Sequence, residues 1–320
     1  MKLLSTFIAA AALVLPAWGQ TPKYPDRPIK LVVPFAAGGG VDSAARVLAN
    51  QLHTQLGVPV IVENRAGANG TIGGKAVQTS AGDGYTLLFS AATHVLAKQV
   101  LSHPPYDPVT DFAPVARVGE APLMLVISPQ LPPQKLADVL AAAREKPEKW
   151  TAGIPAAGAP SHLATLLLAK QGNIKFTFIP YKGTQPALTD VAGGHTFLLM
   201  DSMVSLLPLA KAGRVKPIAI TSAKRSPLAP DVPTAVEGGL PNMTYASWYG
   251  VWAPKDTPAE RVRFLNTAIN AAVAEQAKAG AWANLGIEPV KESVEQFTRF
   301  IAADVAQSSE LLKSAGFKPE

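Results

Sequence analysis

The segment IKLVVPFAAGGGVDSAAR, residues 29–46, is the strongest indication of the fold in this sequence. An apolar, β-prone run that starts at Ile29 ends at Pro34, and three glycines follow at positions 38–40. Apolar residues then recur with helical spacing from Val41 to Leu56. A strand, a glycine loop and a helix in this order point unpaired backbone N–H groups, and the positive end of the helix dipole, at an anion. The sequence therefore predicts an anion-binding loop at the end of a buried strand.

The alternation of short apolar runs with helical patterns continues along the chain and predicts an α/β fold with parallel sheets. The first predicted strands are Leu31–Phe35, Val58–Val62 and Tyr85–Phe89. A second alternation begins near Pro122, and two proline-rich passages, 104–122 and 226–241, bracket it. We expect the chain ends to form one lobe and the middle of the chain another, joined by two hinged connections with a cleft between them.

The chain starts with the pattern of an export signal. Lys2 precedes an almost wholly apolar run, and Ala17 and Gly19 supply small residues at a cleavage site. The run is shorter than the roughly 20 residues that span a membrane. The predicted division is residues 1–19 as signal peptide, 20–122 plus 231–320 as the first lobe, and 123–230 as the second.

Composition narrows the possible functions. The 320 residues are 48% hydrophobic and 16% charged, which is typical of a packed globular protein. The absence of cysteine excludes a disulfide scaffold, a zinc–thiolate site and a cysteine nucleophile. The net charge of +6 suits an anionic small molecule, whereas the scattered basic residues argue against nucleic acid as a partner. The five histidines lack metal-ligand spacing, and no GxSxG elbow is present, so we expect neither a metal nor a hydrolase nucleophile.

Other polar and glycine-rich segments follow the predicted strands. Residues 65–74, RAGANGTIGG, come after the second strand, where the Asn69 side chain and the Gly70 N–H would add donors. Neither nucleotide-binding glycine pattern is complete in these loops. Polar residues also follow later strands, at Thr93, Ser161, Thr184 and Asp201. Each of them is also compatible with an ordinary cap or turn.

Several of these segments together resemble the receptors of tripartite tricarboxylate transporters, often called Bug-type receptors. The resemblance lies in YPDRPIKLVVPFAAGGGVDSAAR (24–46), VIVENRAGANGTIGG (60–74), DGYTLLF (83–89) and PYKGTQPALTDVAGGH (180–195). It extends over nearly the whole chain after the leader, in the same order. It implies a type II periplasmic binding protein with two α/β lobes and a hinged cleft, located in the periplasm.

The resemblance also implies a function and a set of site residues. Such a receptor would capture a small organic acid, a di- or tricarboxylate or an aromatic carboxylate, and deliver it to membrane permease subunits. We expect it to act as a monomer without a cofactor. One carboxylate would lie between the first two loops, against Phe35, Ala36, Gly38, Gly39, Asp42, Asn69 and Gly70. The rest of the ligand would contact Ala91, Thr93, Ser161, His162, Thr184 and Asp201.

Two other functions remain open at this stage. A periplasmic enzyme that acts on an organic acid would need a nucleophile and a base or a pair of acids in the cleft. The sequence shows no recognisable set, and this alternative requires the fold to bring His162 and Asp201 together. An adaptor that binds an acid and then docks on a membrane sensor is the other alternative.

Overall fold

The computed structural model describes residues 24–319, so the predicted signal peptide lies outside the described residues. The strands are β1 (Ile29–Val33), β2 (Val60–Asn64), β3 (Thr86–Ser90), β4 (Phe112–Ile127), β5 (Thr151–Ile154), β6 (Thr177–Pro180), β7 (Leu198–Ser202), β8 (Lys216–Ile220), β9 (Ala246–Pro254) and β10 (Glu288–Pro289). The α-helices are α1 (Gly40–Leu56), α2 (Thr71–Gln78), α3 (Ala92–Val95), α4 (Ala97–Val100), α5 (Leu136–Glu145), α6 (Pro160–Gly172), α7 (Thr184–Gly193), α8 (Met203–Lys211), α9 (Ala259–Lys278), α10 (Ala281–Asn284) and α11 (Val294–Ser314). Two 3₁₀ turns cover Ala68–Gly70 and Pro147–Lys149.

The first lobe is built on a sheet of order β2-β1-β3-β9-β4-β10. Strand β1 is parallel to β2 and β3, and β9 is antiparallel to β3 and β4. Helix α1 buries Ala45, Leu48 and Leu52, one face at helical spacing, in the same core as Leu31 and Val33 of β1. The helix ends at Gly57, whose φ of 71° is the left-handed conformation that glycine adopts without strain.

The second lobe is built on a sheet of order β8-β4-β7-β5-β6, in which β5 is parallel to β6 and β7. Alternate residues of β4 face the two sides of this sheet. Leu125 and Ile127 pack in one core with Leu168 of α6, while Val126 packs in a second core with Val191 of α7. The second lobe is thus a sheet covered by helices on both faces.

One long strand, β4, belongs to both lobes. It pairs with β9 as far as Pro122 and with β7 from Leu123 onward. The proline-rich passage 104–122, predicted as a connection between the lobes, is thus part of a strand from Phe112 onward. Proline is tolerated at sheet edges and bulges, and the pairing of β4 with β9 changes register just after Pro114.

The chain returns to the first lobe at β9. Before that strand, Ala235, Leu240 and Met243 pack in the core of the second lobe. The predicted lobe boundary at residue 231 thus falls inside a segment that packs on the second lobe. Between residues 24 and 319, no helix has the length and apolar character that crossing a bilayer requires.

Candidate ligand-binding site

A cavity lies between the two lobes, beyond the carboxyl ends of the parallel strands, where open α/β sheets commonly bind ligands. It holds about 560 Å³ of space free of protein atoms, a figure that includes its opening to solvent. Its lining residues are Phe35, Ala36, Gly39, Gly40, Val41, Ala91, Thr93, Pro155, Ala159, Pro160, Ser161, Gly183, Thr184, Gln185, Asp201, Ser202, Ser247 and Tyr249.

The glycine loop after β1 brings the start of α1 to the cavity. The carboxylate of Asp42 accepts hydrogen bonds from Gly38 N (2.9 Å) and Arg46 Nε (3.0 Å), which fix the loop. Gly38 has a φ of 85°, a conformation that favours glycine. Gly39 and Gly40 then present the first backbone amides of α1, which have no partner within a helix.

The second lobe contributes the start of α6 opposite the end of β3. Ser161 on α6 and Thr93 on α3 line the cavity. Both side chains are buried, and neither hydroxyl has a hydrogen-bond partner within residues 24–319. Because buried polar groups normally have partners, these two hydroxyls are available to a bound molecule.

Helices α7 and α8 also begin at the cavity wall. The Thr184 hydroxyl donates to Asp201 Oδ2 over 2.6 Å, and the backbone N–H of Ser202 donates to Asp201 Oδ1 over 2.7 Å. Burial raises the pKa of the Asp201 carboxyl, although these two hydrogen bonds oppose the rise. The Tyr249 hydroxyl lies 3.3 Å from the Ser202 hydroxyl and closes the base of the cavity.

The electrostatics of the cavity come from helix ends rather than from cationic side chains. The N-termini of α1, α6, α7 and α8 meet there, each carrying about half a positive charge. Of the cavity-lining residues in the described part of the chain, none is Lys, Arg or His. This arrangement attracts an anion without the desolvation cost of a buried cation.

The two lobes touch across the cleft, so the structure is a closed form. Gln185 Nε2 on α7 donates to the carbonyl of Gly38 over 3.1 Å, and Ala157 N donates to Asn69 Oδ1 over 3.3 Å. Gly40 lies so close to the second lobe that an added Cβ would stand 2.7 Å from Ser202 Oγ. The Gln185–Gly38 and Asn69–Ala157 hydrogen bonds, called the lip contacts below, therefore join the two lobes.

The structure brings most of the residues predicted for the site to the cavity wall. These are Phe35, Ala36, Gly39, Ala91, Thr93, Ser161, Thr184 and Asp201. The remaining ones, Gly38, Asp42, Asn69, Gly70 and His162, do not line it.

Asp42 and Gly38, which the sequence predicts to contact the ligand, are hydrogen-bonded to each other and do not line the cavity. The Asp42 side chain is only 3% exposed, and Asn64 Nδ2 donates to its second oxygen over 2.9 Å. Burial acts to raise the pKa of Asp42, but the donors Arg46, Gly38 and Asn64 outweigh it and lower the pKa. The Gly38 amide is occupied by the same carboxylate. Both residues stabilise the conformation of the glycine loop through this hydrogen bond.

His162 packs against aromatic rings and does not line the cavity in this structure. Its Nδ1 accepts a hydrogen bond from Gly158 N over 3.1 Å, and its ring packs edge-on against Phe178 and Phe317. Burial lowers its pKa to about 4, so the ring is neutral at physiological pH. The fold does not bring it to the cavity with Asp201.

Asn69 and Gly70 lie in a neighbouring recess that they share with Phe35. Asn69 has a positive φ of 52°, which Asn tolerates better than most residues. Its carbonyl oxygen accepts the Ala157 amide of the second lobe. Its observed role is therefore to join the lobes.

Sequence reasoning missed part of the wall. Gly40 and Ser202 are direct neighbours of predicted residues, so the same motifs pointed to them. Ser247 and Tyr249 lie on β9, where the aromatic run gave no signal beyond core packing. Their contribution depends on β9 crossing the base of the cleft, which is a property of the topology.

Two α/β lobes, a strand shared between them and a ligand-sized cavity at the strand ends define a type II periplasmic binding protein. Residues 44–317 match the family model described as "Tripartite tricarboxylate transporter family receptor". Protein BugT of Bordetella pertussis is 37% identical over 320 residues, which cover 99% of this chain and 98% of BugT. The chain therefore belongs to the family of tripartite tricarboxylate transporter receptors, of the Bug type.

Solved structures agree with this assignment. An R. palustris protein described with adipate is 34% identical with a TM-score of 0.89, over 93% of this chain and 100% of that one. MatC from Rhodopseudomonas palustris, described with bound malate, is 31% identical with a TM-score of 0.83, over 90% and 100% of the chains. Members of the family are periplasmic solute-binding receptors.

Proposed function

We propose that this protein captures a small organic acid, a di- or tricarboxylate or an aromatic carboxylate, and delivers it to the membrane subunits of a tripartite transporter. The observation that carries the proposal is the convergence of four helix N-termini, from both lobes, on a cavity without a cationic side chain. Helix N-termini favour carboxylates. The relatives described with adipate and malate support an acid of this size.

The two sides of the cavity suit the two ends of such an acid. The amides of Gly39 and Gly40 approach from the first lobe, and the unpartnered Ser161 hydroxyl from the second. A ligand that bridges them stabilises the closed form by its differential affinity for that form. The membrane subunits would then recognise the closed receptor.

We infer that binding is reversible and without turnover. A nucleophilic serine needs an adjacent base, whereas Ser161 Oγ has no hydrogen-bond partner in the described structure and His162 faces an aromatic cluster. Mass analysis of a recovered acid after incubation checks this inference. Conversion of the acid into a product would contradict it.

The binding proposal is tested by a thermal-shift screen over linear, branched and aromatic acids. An acid at about 100 times its Kd adds roughly 2.7 kcal/mol of stability. Gly39→Val places a branched side chain at the start of α1 and should abolish the shift while the ligand-free protein stays folded. Ala141→Val, at an exposed position of α5, is the matched control and should keep the shift. No shift with any acid, or full binding by Gly39→Val, would refute the proposal.

The transport role needs a separate measurement. Uptake of a labelled acid into vesicles that contain the membrane subunits should depend on added receptor. Binding without receptor-dependent uptake would assign the protein to sensing instead.

A further inference from the structure

Asp201 is the one acidic side chain in a cavity otherwise built for anions, within the described lining. It stands at the end of β7, between the first residues of α7 and α8. Its charge lies close enough to the Tyr249 hydroxyl to help raise the pKa of that tyrosine to about 12, after the larger effect of burial. A carboxylate at this place repels any ligand carboxylate that approaches it.

The protein only partly satisfies this carboxylate. Thr184 and the backbone of Ser202 each donate one hydrogen bond to it. A carboxylate has about four acceptor sites, so the oxygens can accept further bonds from the cavity side. Burial without a cationic partner is unfavourable for a charge, and a donor on the ligand would relieve that cost.

We propose that Asp201 is a specificity-determining residue that selects organic acids bearing a hydroxyl or ammonium donor next to a carboxylate, and rejects the same acids without it. The proposal rests on the proposed function and names the ligand subclass for that site. The helix ends bind the carboxylates, and Asp201 accepts the hydrogen bond of the donor. The unsubstituted acid is rejected because the Asp201 carboxylate repels the ligand carboxylate and receives no hydrogen bond from the ligand. Unfavourable contacts with the wrong ligand thus contribute to specificity.

A purely structural role for Asp201 makes a different prediction. Asp201→Asn keeps an acceptor oxygen for the Ser202 amide and a polar group for the Thr184 hydroxyl. In the variant the Ser202 amide keeps its acceptor, the new NH₂ group donates to the Thr184 hydroxyl oxygen instead of accepting from it, and the charge is removed. A structural residue treated in this way would not change the preference among ligands of one length.

The experiment uses calorimetric titration at pH 7.5 with matched acids that differ at one carbon. The sets are succinate, malate and aspartate; glutarate, 2-hydroxyglutarate and glutamate; adipate, 2-hydroxyadipate and 2-aminoadipate. In at least one set, the protein should bind the hydroxyl or ammonium member roughly 10- to 100-fold more tightly than the unsubstituted acid. Comparison of the hydroxy acid with the amino acid in each set shows which of the two hydrogen-bond donors the protein prefers.

Asp201→Asn should remove that preference by weakening the substituted acid while the unsubstituted acid binds as well or better. Asp190→Asn is the matched control, since the Asp190 carboxylate accepts from Tyr181 over 2.7 Å and does not line the cavity. Equal affinities within every set, or a preference that survives Asp201→Asn, would overturn the inference while acid binding itself still stood. Failure of all the acids in these sets and in the wider screen to bind would refute the proposed function.

Discussion

The hydroxyl of Ser161 is buried in the cavity wall and has no hydrogen-bond partner within residues 24–319. Burial of such a group costs about 1–3 kcal/mol, a cost that a bound acid would recover. We expect Ser161→Ala to leave the free energy of unfolding of the ligand-free protein unchanged or higher. The same change should weaken acid binding by roughly 10- to 100-fold, because a hydrogen bond to a charged group is lost. Urea unfolding and calorimetric titration measure the two effects.

Thr165 provides the control for this prediction. It is buried one turn further along α6, and its hydroxyl donates to the carbonyl of Ser161 over 2.6 Å. Thr165→Val should lower stability and keep the affinity, the reverse of the pattern for Ser161→Ala. Loss of stability in Ser161→Ala with full affinity would contradict the assignment of Ser161 to the ligand.

Asp304 is a half-buried carboxyl on α11 beside Trp248, and it does not line the cavity. Burial raises its pKa to about 6, although Trp248 and Arg117 oppose the rise. In the unfolded chain, the pKa of an aspartate carboxyl is near 3.9. The folded state therefore holds the proton more tightly, and stability is lost as pH rises from about 4 through 6.

We expect Asp304→Asn to remove the loss of stability that accompanies the rise in pH. Its free energy of unfolding should equal that of the parent near pH 4 and exceed it by at most about 3 kcal/mol at pH 7. Urea midpoints between pH 4 and 7 measure the difference. Asp231→Asn, at an exposed position, should show no such growth with pH. If the free energies of unfolding of the variant and the parent differ by the same amount at every pH between 4 and 7, burial does not raise the pKa of Asp304.

At the scale of elements, α11 packs on β9 at Gly250. An added Cβ there would stand 2.5 Å from the ring of Phe297 on α11 and 2.8 Å from the ring of Trp252. Phe297 is fully buried, so it has little room to move. We expect Gly250→Ala to lower the free energy of unfolding by about 1–3 kcal/mol, as overpacking usually does. Urea unfolding measures this, and Ala246→Val, at an exposed position of the same strand, should cost much less.

The elements also show what sequence could and could not predict. Periodicity and the glycine loop predicted α1 and its place at an anion site, because those signals are local. The sequence does not predict the part of β4 before Leu123, because prolines such as Pro114 and Pro122 are typical of segments outside strands. Their tolerance depends on which strands lie beside β4, a non-local fact.

The residues of the site also fall into those that the sequence predicts and those that depend on the three-dimensional structure. Backbone donors at Gly39 and the polar residues Ser161 and Asp201 follow from strand ends, which a single sequence reveals. The inward bond between Asp42 and Gly38 N, and the aromatic packing of His162, depend on side-chain directions that no motif encodes. Ser247 and Tyr249 enter the site only through the path of β9.

At the scale of the whole molecule, the lobes are joined near the hinge and at the lip. Leu163 and Leu166 of the second lobe share an apolar cluster with Trp248 and with Phe297 and Leu312 of α11. Two polar contacts also join the lobes, where Gln185 reaches Gly38 and Asn69 reaches Ala157. We expect the apolar contacts to persist when the lobes open and these two polar contacts to form only on closure.

We expect the two lip contacts to set the balance between open and closed forms. In the double variant Gln185→Ala, Asn69→Gly both side chains are removed, and glycine keeps the positive φ of position 69. The ligand-free double variant should show a larger radius of gyration by small-angle X-ray scattering than the parent. Its affinity should fall roughly tenfold, because the ligand must supply the closure energy that the two bonds contributed.

Saturating ligand should return the radius of gyration of the double variant to the parent value, since a ligand that bridges the lobes favours the closed form. Gln130→Ala is the control, because Gln130 Nε2 donates to the Gly193 carbonyl within the second lobe over 3.3 Å. That variant should match the parent in both measurements. An unchanged radius and affinity in the double variant would show that contacts near the hinge, rather than those at the lip, hold the lobes together. Gly40 would then be the next residue to test, because an added Cβ at that position would stand 2.7 Å from Ser202 Oγ of the second lobe.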